Sequence, residues 1–214
     1  MKCECKGDRL KGLVLNSGGI DSPVAVYTMA QHDLVSIHFD NYPYTSNTTP
    51  LTERITHRLE RVLDRQVPLM TAWLGKSLTT FLEKSGREER KYTCIFCKRM
   101  MFRVAEKCAR ENHCQFLITG ENLGQVASQT LQNIYVTSRA VTLPIIRPLI
   151  GLDKLDIIAI AEKIGTYEIS IETASHCSAV PRYPAIRAQL KKIEELENRL
   201  NIQRLIEDAV SPPE

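Results

Sequence analysis

The residues best suited to chemistry near the start of the chain form the segment Ser17-Gly18-Gly19-Ile20-Asp21-Ser22. It joins a short apolar run, 11–16, to an amphipathic stretch, 22–31. Its glycines let the backbone approach an anion closely, its serines add hydroxyl donors, and a helix beginning here presents free N–H groups. Asp21 suits an anion site only if a cation such as Mg²⁺ bridges carboxylate and phosphate. The segment predicts a phosphate-binding loop, although a plain strand-to-helix turn can also read Ser-Gly-Gly.

A second group of reactive residues consists of Cys94 and Cys97 in a Cys-x-x-Cys pattern, with Cys177 80 residues further on. The pair alone leaves zinc, redox and iron–sulfur roles open. A redox dithiol is less favoured, because the pair does not open the strand–helix–strand unit of a thioredoxin fold. The third cysteine fits a metal site closed across the fold. The other cysteines are expected to be spare thiols on the N-terminal tail (Cys3, Cys5) or small buried residues (Cys108, Cys114).

The elements that must position these residues alternate along the chain. Apolar, strand-like runs cover 11–16, 34–39, 67–73 and 115–119, and prolines keep 144–149 extended. Helical spacing covers 22–31, 52–65, 77–89, 98–111, 125–138 and 153–164. Such alternation predicts an α/β fold with a doubly wound parallel sheet, whose ligands lie at the carboxyl ends of the strands. The tail from 184 is helical and predicts packing on its own domain, with dimerisation as the alternative.

Composition and charge narrow the class of protein. The chain has no apolar run of about 18 residues and no apolar leader, and its seven cysteines cannot all pair, so a cytoplasmic protein with no membrane partner is expected. Residues 84–110 hold nine basic residues against three acids, although the whole chain carries only +3. This basic stripe predicts contacts with a polyanion or a solvated helix face. The four cations expected to touch phosphates are Arg99, Arg103, Lys107 and Arg110.

Four motifs in order now carry a resemblance to a known family. The first, Ser17 to Ala25, resembles the pyrophosphate loop of ATP pyrophosphatases that adenylate a carbonyl oxygen. The others are 119–130 (TGENLGQVASQT), 146–154 (IRPLIGLDK) and 164–171 (IGTYEISI). Together they resemble the tRNA 4-thiouridine synthetases, sulfurtransferases that are also linked to thiamine thiazole synthesis. The resemblance spans residues 11–184. It implies a pyrophosphate-loop fold, ATP and Mg²⁺ as cofactors, tRNA as a partner and a sulfur donor.

Residue by residue, the resemblance assigns a nucleotide site. It implies that Asp21 is catalytic and that His38 and Phe39 flank the adenine, while lysine replaces the family's arginine at Lys98. The implied nucleotide-binding residues are Leu15, Asn16, Ser17, Gly18, Gly19, Asp21, Ser22, His38, Phe39, Lys98, Gly120 and Gln129. In the archaeal-type branch, the resemblance further implies that Cys94, Cys97 and Cys177 hold a [4Fe-4S] cluster. Cys177 is alternatively the catalytic, sulfur-carrying nucleophile.

The resemblance also predicts a domain organisation. Residues 1–10 are expected to be a flexible tail, 11–183 the pyrophosphate-loop domain and 184–214 a helical extension of it. This predicts a bare catalytic domain without the THUMP and rhodanese domains of the family, so a separate THUMP-type subunit is a candidate partner. Three alternatives stay open: a non-catalytic iron–sulfur or RNA-binding subunit, a thiazole-biosynthesis sulfurtransferase, and an amide- or nitrile-forming ATP pyrophosphatase.

Overall fold

A computed structural model describes residues 9–172 and 176–211, which fold around a central sheet. Five strands are parallel and lie in the order β3-β2-β1-β4-β5. Their bounds are β1 Lys11–Leu15, β2 Asp33–Asp40, β3 Leu69–Trp73, β4 Phe116–Thr119 and β5 Ile145–Ile146. Pairing of Leu15 with Ile37 and Thr119 brings the carboxyl ends of the three central strands to one edge. The predicted doubly wound α/β fold is confirmed.

Helices cover both faces of the sheet, as parallel strands require. In chain order they are α1 Asp21–Thr28, α2 Thr49–Leu63, α3 Gly75–Lys84, α4 Thr93–Glu111, α5 Leu131–Ser138, α6 Lys154–Ile164, α7 Tyr167–Ile171, α8 Leu190–Glu197 and α9 Ile202–Val210. One apolar core lies between the sheet and α1, α2, α6 and α7. The other lies under α3, α4, α5, α8 and α9. Within the described residues, no helix is both long and apolar enough to cross a bilayer.

Several element boundaries differ from those that the sequence predicts. α4 begins at Thr93 instead of 98, so the Cys-x-x-Cys pair lies inside the helix. α5 begins only at Leu131, after a 3-10 turn over Ala127–Gln129, because the side chain of Thr130 caps the helix by accepting from Asn133 N. The tail forms two helices, since the side chain of Asn201 caps a new helix by accepting from Arg204 N. The predicted flexible N-terminal tail and its Cys3 and Cys5 lie almost wholly outside the described residues.

Two of the four cations expected to face a polyanion, Arg99 and Arg103, instead bind a carboxylate inside the protein, which corrects the prediction for these two. Arg99 is only 2% exposed and donates to both carboxylate oxygens of Glu197 on α8, at 2.7 and 2.9 Å. Arg103 binds the same carboxylate at 2.8 Å. Lys107 and Arg110 pair with acids one turn away on α4, Glu111 and Glu106. Because the partners of Arg99 and Arg103 come from a distant part of the chain, local charge counting could not reveal them.

Candidate nucleotide-binding site

A cleft of about 310 Å³ opens at the carboxyl edge of the sheet, where β1, β2 and β4 end. This is the place that the doubly wound topology predicts for a ligand. Polar atoms of the loops converge on it above an apolar floor. The lining residues are Leu15, Asn16, Ser17, Asp21, Ser22, Phe39, Asn41, Thr45, Thr48, Lys98, Met101, Thr119, Gly120, Glu121 and Gln129.

The loop between β1 and α1 is held in shape by its own side chains. Ser22 Oγ accepts from the Ser17 amide at 3.0 Å and donates to Asn16 Oδ1 at 3.1 Å. The same Asn16 oxygen accepts from Gly18 N at 3.4 Å, and Gly18 has a φ of +75°, which favours glycine. Asn16 is buried, so the loop is anchored to the sheet from below. This leaves a short, preorganised turn before the positive end of α1.

Gly120, the first residue after β4, lies directly against this turn. A Cβ atom at Gly120 would stand 2.8 Å from the Asp21 carbonyl carbon and 2.9 Å from Ser22 N. Only a residue without a side chain allows β4 and α1 to approach so closely. Gly120 therefore sets the depth of the cleft beside the loop.

Asp21 pairs with a lysine that the sequence analysis did not assign. Lys154 Nζ, on the first turn of α6, lies 2.5 Å from Asp21 Oδ1. Both side chains are partly exposed, so the pair is in contact with solvent at the cleft. Lys154 belongs to the motif 146–154, yet nothing in its local spacing links it to a residue 133 positions earlier. The cation beside Asp21 in this structure is an ammonium group.

A buried carboxylate holds two further cations at the opposite wall. Glu121 is 1% exposed and binds Lys98 Nζ at 2.9 Å and Arg147 Nε at 2.8 Å. Burial by itself would raise the pKa of Glu121, but the charges and hydrogen bonds of Lys98 and Arg147 outweigh it and lower the pKa. Glu121 is therefore ionised at neutral pH, and the three groups together carry one net positive charge. Sequence analysis assigned Lys98 but missed Glu121 and Arg147.

Phe39 lines the cleft, whereas the side chain of His38 is buried behind its wall. Successive side chains of a strand point to opposite faces, so the two could not both face one ligand. His38 Nδ1 donates to the Asn16 carbonyl at 3.1 Å, and Nε2 lies 3.1 Å from Thr48 Oγ1. Burial lowers the pKa of His38 despite the opposing hydrogen bond to Asn16. The neutral imidazole thus joins the loop to Thr48.

The three predicted cysteine ligands lie in one neighbourhood beside the cleft. Cys94 and Cys97 are in the first turns of α4, and Lys98 and Met101 of the same helix line the cleft. Burial, together with the nearby Cys94 and Cys177 thiols, raises the pKa of the Cys97 thiol to about 12. A hydrogen bond of the next residue holds Cys177 in position, because Ser178 N donates to the Tyr44 carbonyl at 2.8 Å. The other described cysteines, Cys108 and Cys114, are buried.

A single metal ion needs three or more ligand side chains that converge on one point. Within residues 9–172 and 176–211, no group of three or more histidine, cysteine, aspartate or glutamate side chains stands close enough together to hold one. A cubane cluster has a different requirement, because each of its thiolates binds a different iron.

Together, the parallel sheet, the loop after its first strand and the cationic cleft define an α/β nucleotide-binding domain. The family model described as "Thiamine biosynthesis protein (ThiI)" matches residues 7–202. The chain belongs to this family.

Similar proteins of known family and one solved structure support the same family assignment. The chain is 42% identical over 206 residues to a "Probable tRNA sulfurtransferase" of Caldanaerobacter subterraneus, covering 94% of this chain and 53% of that protein. It is 38% identical over 213 residues to a protein of the same name from Methanobrevibacter smithii, covering 95% and 54%. A 4-thiouridine synthetase in complex with RNA and ATP superimposes with a TM-score of 0.84 at 38% identity, over 94% of this chain and 53% of that one. The chain thus spans about half the length of these relatives.

Proposed function

We propose that this chain catalyses the ATP-dependent thiolation of uridine in tRNA. The observation that carries the proposal is that the predicted phosphate loop lines a cleft with three thiols beside it, since α4 contributes both cleft-lining Lys98 and the cysteine pair. The relatives named as tRNA sulfurtransferases support this reaction, and so does the solved synthetase with RNA and ATP.

In the first step, ATP binds with its β- and γ-phosphates at the loop Ser17–Ser22, against the N-terminus of α1. The uridine carbonyl oxygen, O4, attacks the α-phosphorus, and the bond to the bridging oxygen breaks, so that pyrophosphate leaves with the electron pair. Lys154, held by Asp21, and the positive end of α1 stabilise the negative charge on the leaving group. Mg²⁺ would bind the phosphates beside Asp21. The cationic wall of Lys98 and Arg147 would offset charge at the α-phosphate.

In the second step, a sulfur nucleophile displaces AMP from the activated base. The phosphate leaves with its oxygen, so a poor leaving group has become a good one. Cys94, Cys97 and Cys177 would hold a [4Fe-4S] cluster, which when bound supplies an open iron for a hydrosulfide. In the alternative, Cys177 receives the outer sulfur of a persulfide donor and attacks as the persulfide; AMP leaves, and a second thiol cleaves the resulting disulfide between Cys177 and the base to release the thiolated uridine. Lys98 lies beside these thiols. Burial raises the pKa values of Cys94 and Cys97, and the positive charge of Lys98 acts in the opposite direction, so it favours the thiolate forms.

A thiazole-forming sulfur transfer is the second candidate function, favoured by the description of the family as a thiamine biosynthesis protein. It would use the same loop and thiols with a different acceptor. A separate THUMP-type subunit and the sulfur donor would be partners of the thiolation reaction.

Release of labelled pyrophosphate from ATP, with and without an unmodified tRNA transcript, tests the proposal. We expect release only when tRNA is present, and transfer of labelled sulfide to tRNA by anaerobically prepared protein. Asp21→Asn serves as the inactive control, because it keeps the size of the side chain and removes its charge. Pyrophosphate release that ignores tRNA, or that needs ammonia, would refute the proposal in favour of another ATP pyrophosphatase.

A further inference from the structure

The rim segment, which we define as residues 176–188, runs along the edge of the cleft. At one end Ser178 N donates a hydrogen bond to the Tyr44 carbonyl. The residue after Tyr44, Thr45, lines the cleft. Towards its other end Ala185 N donates to the Lys91 carbonyl at 2.9 Å, just before the cysteine pair. At the other end the Ile186 carbonyl accepts from Thr130 Oγ1 at 2.8 Å, beside cleft-lining Gln129. The rim segment is thus tied to both sides of the cleft and to the start of α4.

The outer side of the rim segment combines an aromatic ring with positive charge. Tyr183 is 74% exposed, and the Arg182 guanidinium carbon lies 5.3 Å from the centre of its ring. Arg187 and the adjoining Lys91 are also exposed. Within the described part of the chain, Arg182, Arg187 and Lys91 form no ion pair, in contrast to Arg99 and Arg103. The sequence of the rim segment contains no acidic residue.

We propose that the rim segment docks the single-stranded nucleotides next to the target uridine, with Tyr183 stacking on one base and Arg187 contacting a phosphate. This inference rests on the proposed tRNA thiolation. An exposed aromatic ring gains little from its own fold, whereas unpaired bases stack on such rings and on guanidinium planes. The unpaired cations favour a polyanion over a protein partner, since the centres of protein interfaces are depleted of charge.

The position of Tyr183 agrees with this role. Tyr183 follows Cys177 by six positions, so the two lie at most about 20 Å apart along the chain. The target base must leave its stack to reach the cleft, and its neighbours are then splayed over the surface beside it. A platform on the rim would hold the strand while one base enters. This makes Tyr183 a positioning residue that does not touch the reacting atoms.

Tyr183→Ala, Tyr183→Phe and Arg187→Ala test the inference by their dissociation constants for an unmodified tRNA transcript, measured across a series of salt concentrations. We expect Tyr183→Ala to weaken binding roughly tenfold and Tyr183→Phe to restore it to within about twofold, because phenylalanine still stacks. Arg187→Ala should flatten the logarithmic salt dependence by about 0.7, the value for one phosphate of a single strand. ATP affinity and the melting temperature should not change.

Lys163→Ala is the matched control, since Lys163 is an exposed cation on α6, a helix of the other face of the sheet. It should leave tRNA binding unchanged. Photo-crosslinking of a transcript that contains 5-iodouridine should modify the peptide around Tyr183. Wild-type tRNA affinity in Tyr183→Ala would overturn the inference, even if tRNA-dependent pyrophosphate release by the native protein upholds the proposed function. Equal losses in Tyr183→Phe and Tyr183→Ala would overturn stacking as the basis.

Discussion

Lys154 Nζ lies 2.5 Å from Asp21 Oδ1, so the first turn of α6 is joined to the first turn of α1 at the phosphate-binding loop. This contact gives the Asp21 carboxylate, which lies next to the predicted phosphate site, a defined role. It holds an ammonium group where the phosphates of ATP would lie. Mg²⁺ would then add to a site that already contains a cation. The ion pair is partly exposed, so its contribution to the free energy of unfolding is small. Its contribution to the reaction rate can therefore be measured separately.

Asp21→Ala is expected to leave the fold intact and to reduce tRNA-dependent pyrophosphate release by about 100-fold or more. The charge that Asp21 organises matters most when the leaving pyrophosphate becomes more negative, so turnover should fall more than ATP affinity. Steady-state rates and ATP binding by calorimetry separate the two effects. Asp156→Ala, on the same first turn of α6 as Lys154, is the control and should retain activity. Unchanged turnover in Asp21→Ala would refute this role of the loop.

Gly120→Ala tests the close approach between β4 and α1. The added methyl carbon would lie only 2.8–2.9 Å from backbone atoms of Asp21 and Ser22. Because this is a steric clash, the loop must shift. We expect ATP affinity to fall at least tenfold and the free energy of unfolding to fall by about 1–3 kcal/mol. Gly151→Ala is the matched control, because nothing lies within 4 Å of a Cβ atom at that position. Equal effects of the two substitutions on ATP binding would show that the approach does not shape the site.

The sequence was sufficient to predict the sheet, the loop and the edge at which the cleft lies, because strand and helix periodicities and a glycine turn are local signals. It was insufficient for the pairs that complete the site. Lys154 with Asp21, and Arg147 with Glu121, are joined only by tertiary packing. The position of His38 was predictable in principle, since alternation along β2 places it opposite Phe39. Arg99 was misassigned because a buried ion pair and a solvated stripe have the same spacing in sequence.

Glu197→Gln tests the buried ion pairs between α4 and α8. Removing the charge leaves Arg99 buried without its partner, which should cost about 3–5 kcal/mol in the free energy of unfolding at pH 7. Burial alone would raise the pKa of Glu197, but hydrogen bonds from Arg103 and Arg99 lower it below the usual 4.5. The carboxylate therefore stabilises the fold above about pH 4.5, and this stability is lost as the pH falls through the lower, folded-state pKa.

Urea unfolding of the native protein and Glu197→Gln at several pH values measures this effect. The gap between their free energies of unfolding should narrow as the solution is acidified. Glu195→Gln is the control on the same helix, because its carboxylate is half-exposed and lies 3.8 Å from Lys192. It should change stability by less than about 0.5 kcal/mol. A gap that stays constant as the pH is lowered well below 4.5 would contradict the assigned pKa direction.

The final prediction concerns the division of labour between the loop and the thiols. Cys94→Ala, Cys97→Ala and Cys177→Ala should each lose tRNA thiolation, while tRNA-dependent pyrophosphate release largely survives, because the loop activates the base without them. Protein prepared without oxygen and supplied with iron and sulfide should be brown, and each of the three variants should lose that colour and its bound iron. Cys114→Ala is the control, since Cys114 is buried outside the trio. Full iron content with lost thiolation in Cys177→Ala alone would instead make Cys177 the sulfur-carrying nucleophile, and no iron in the native protein would refute the cluster.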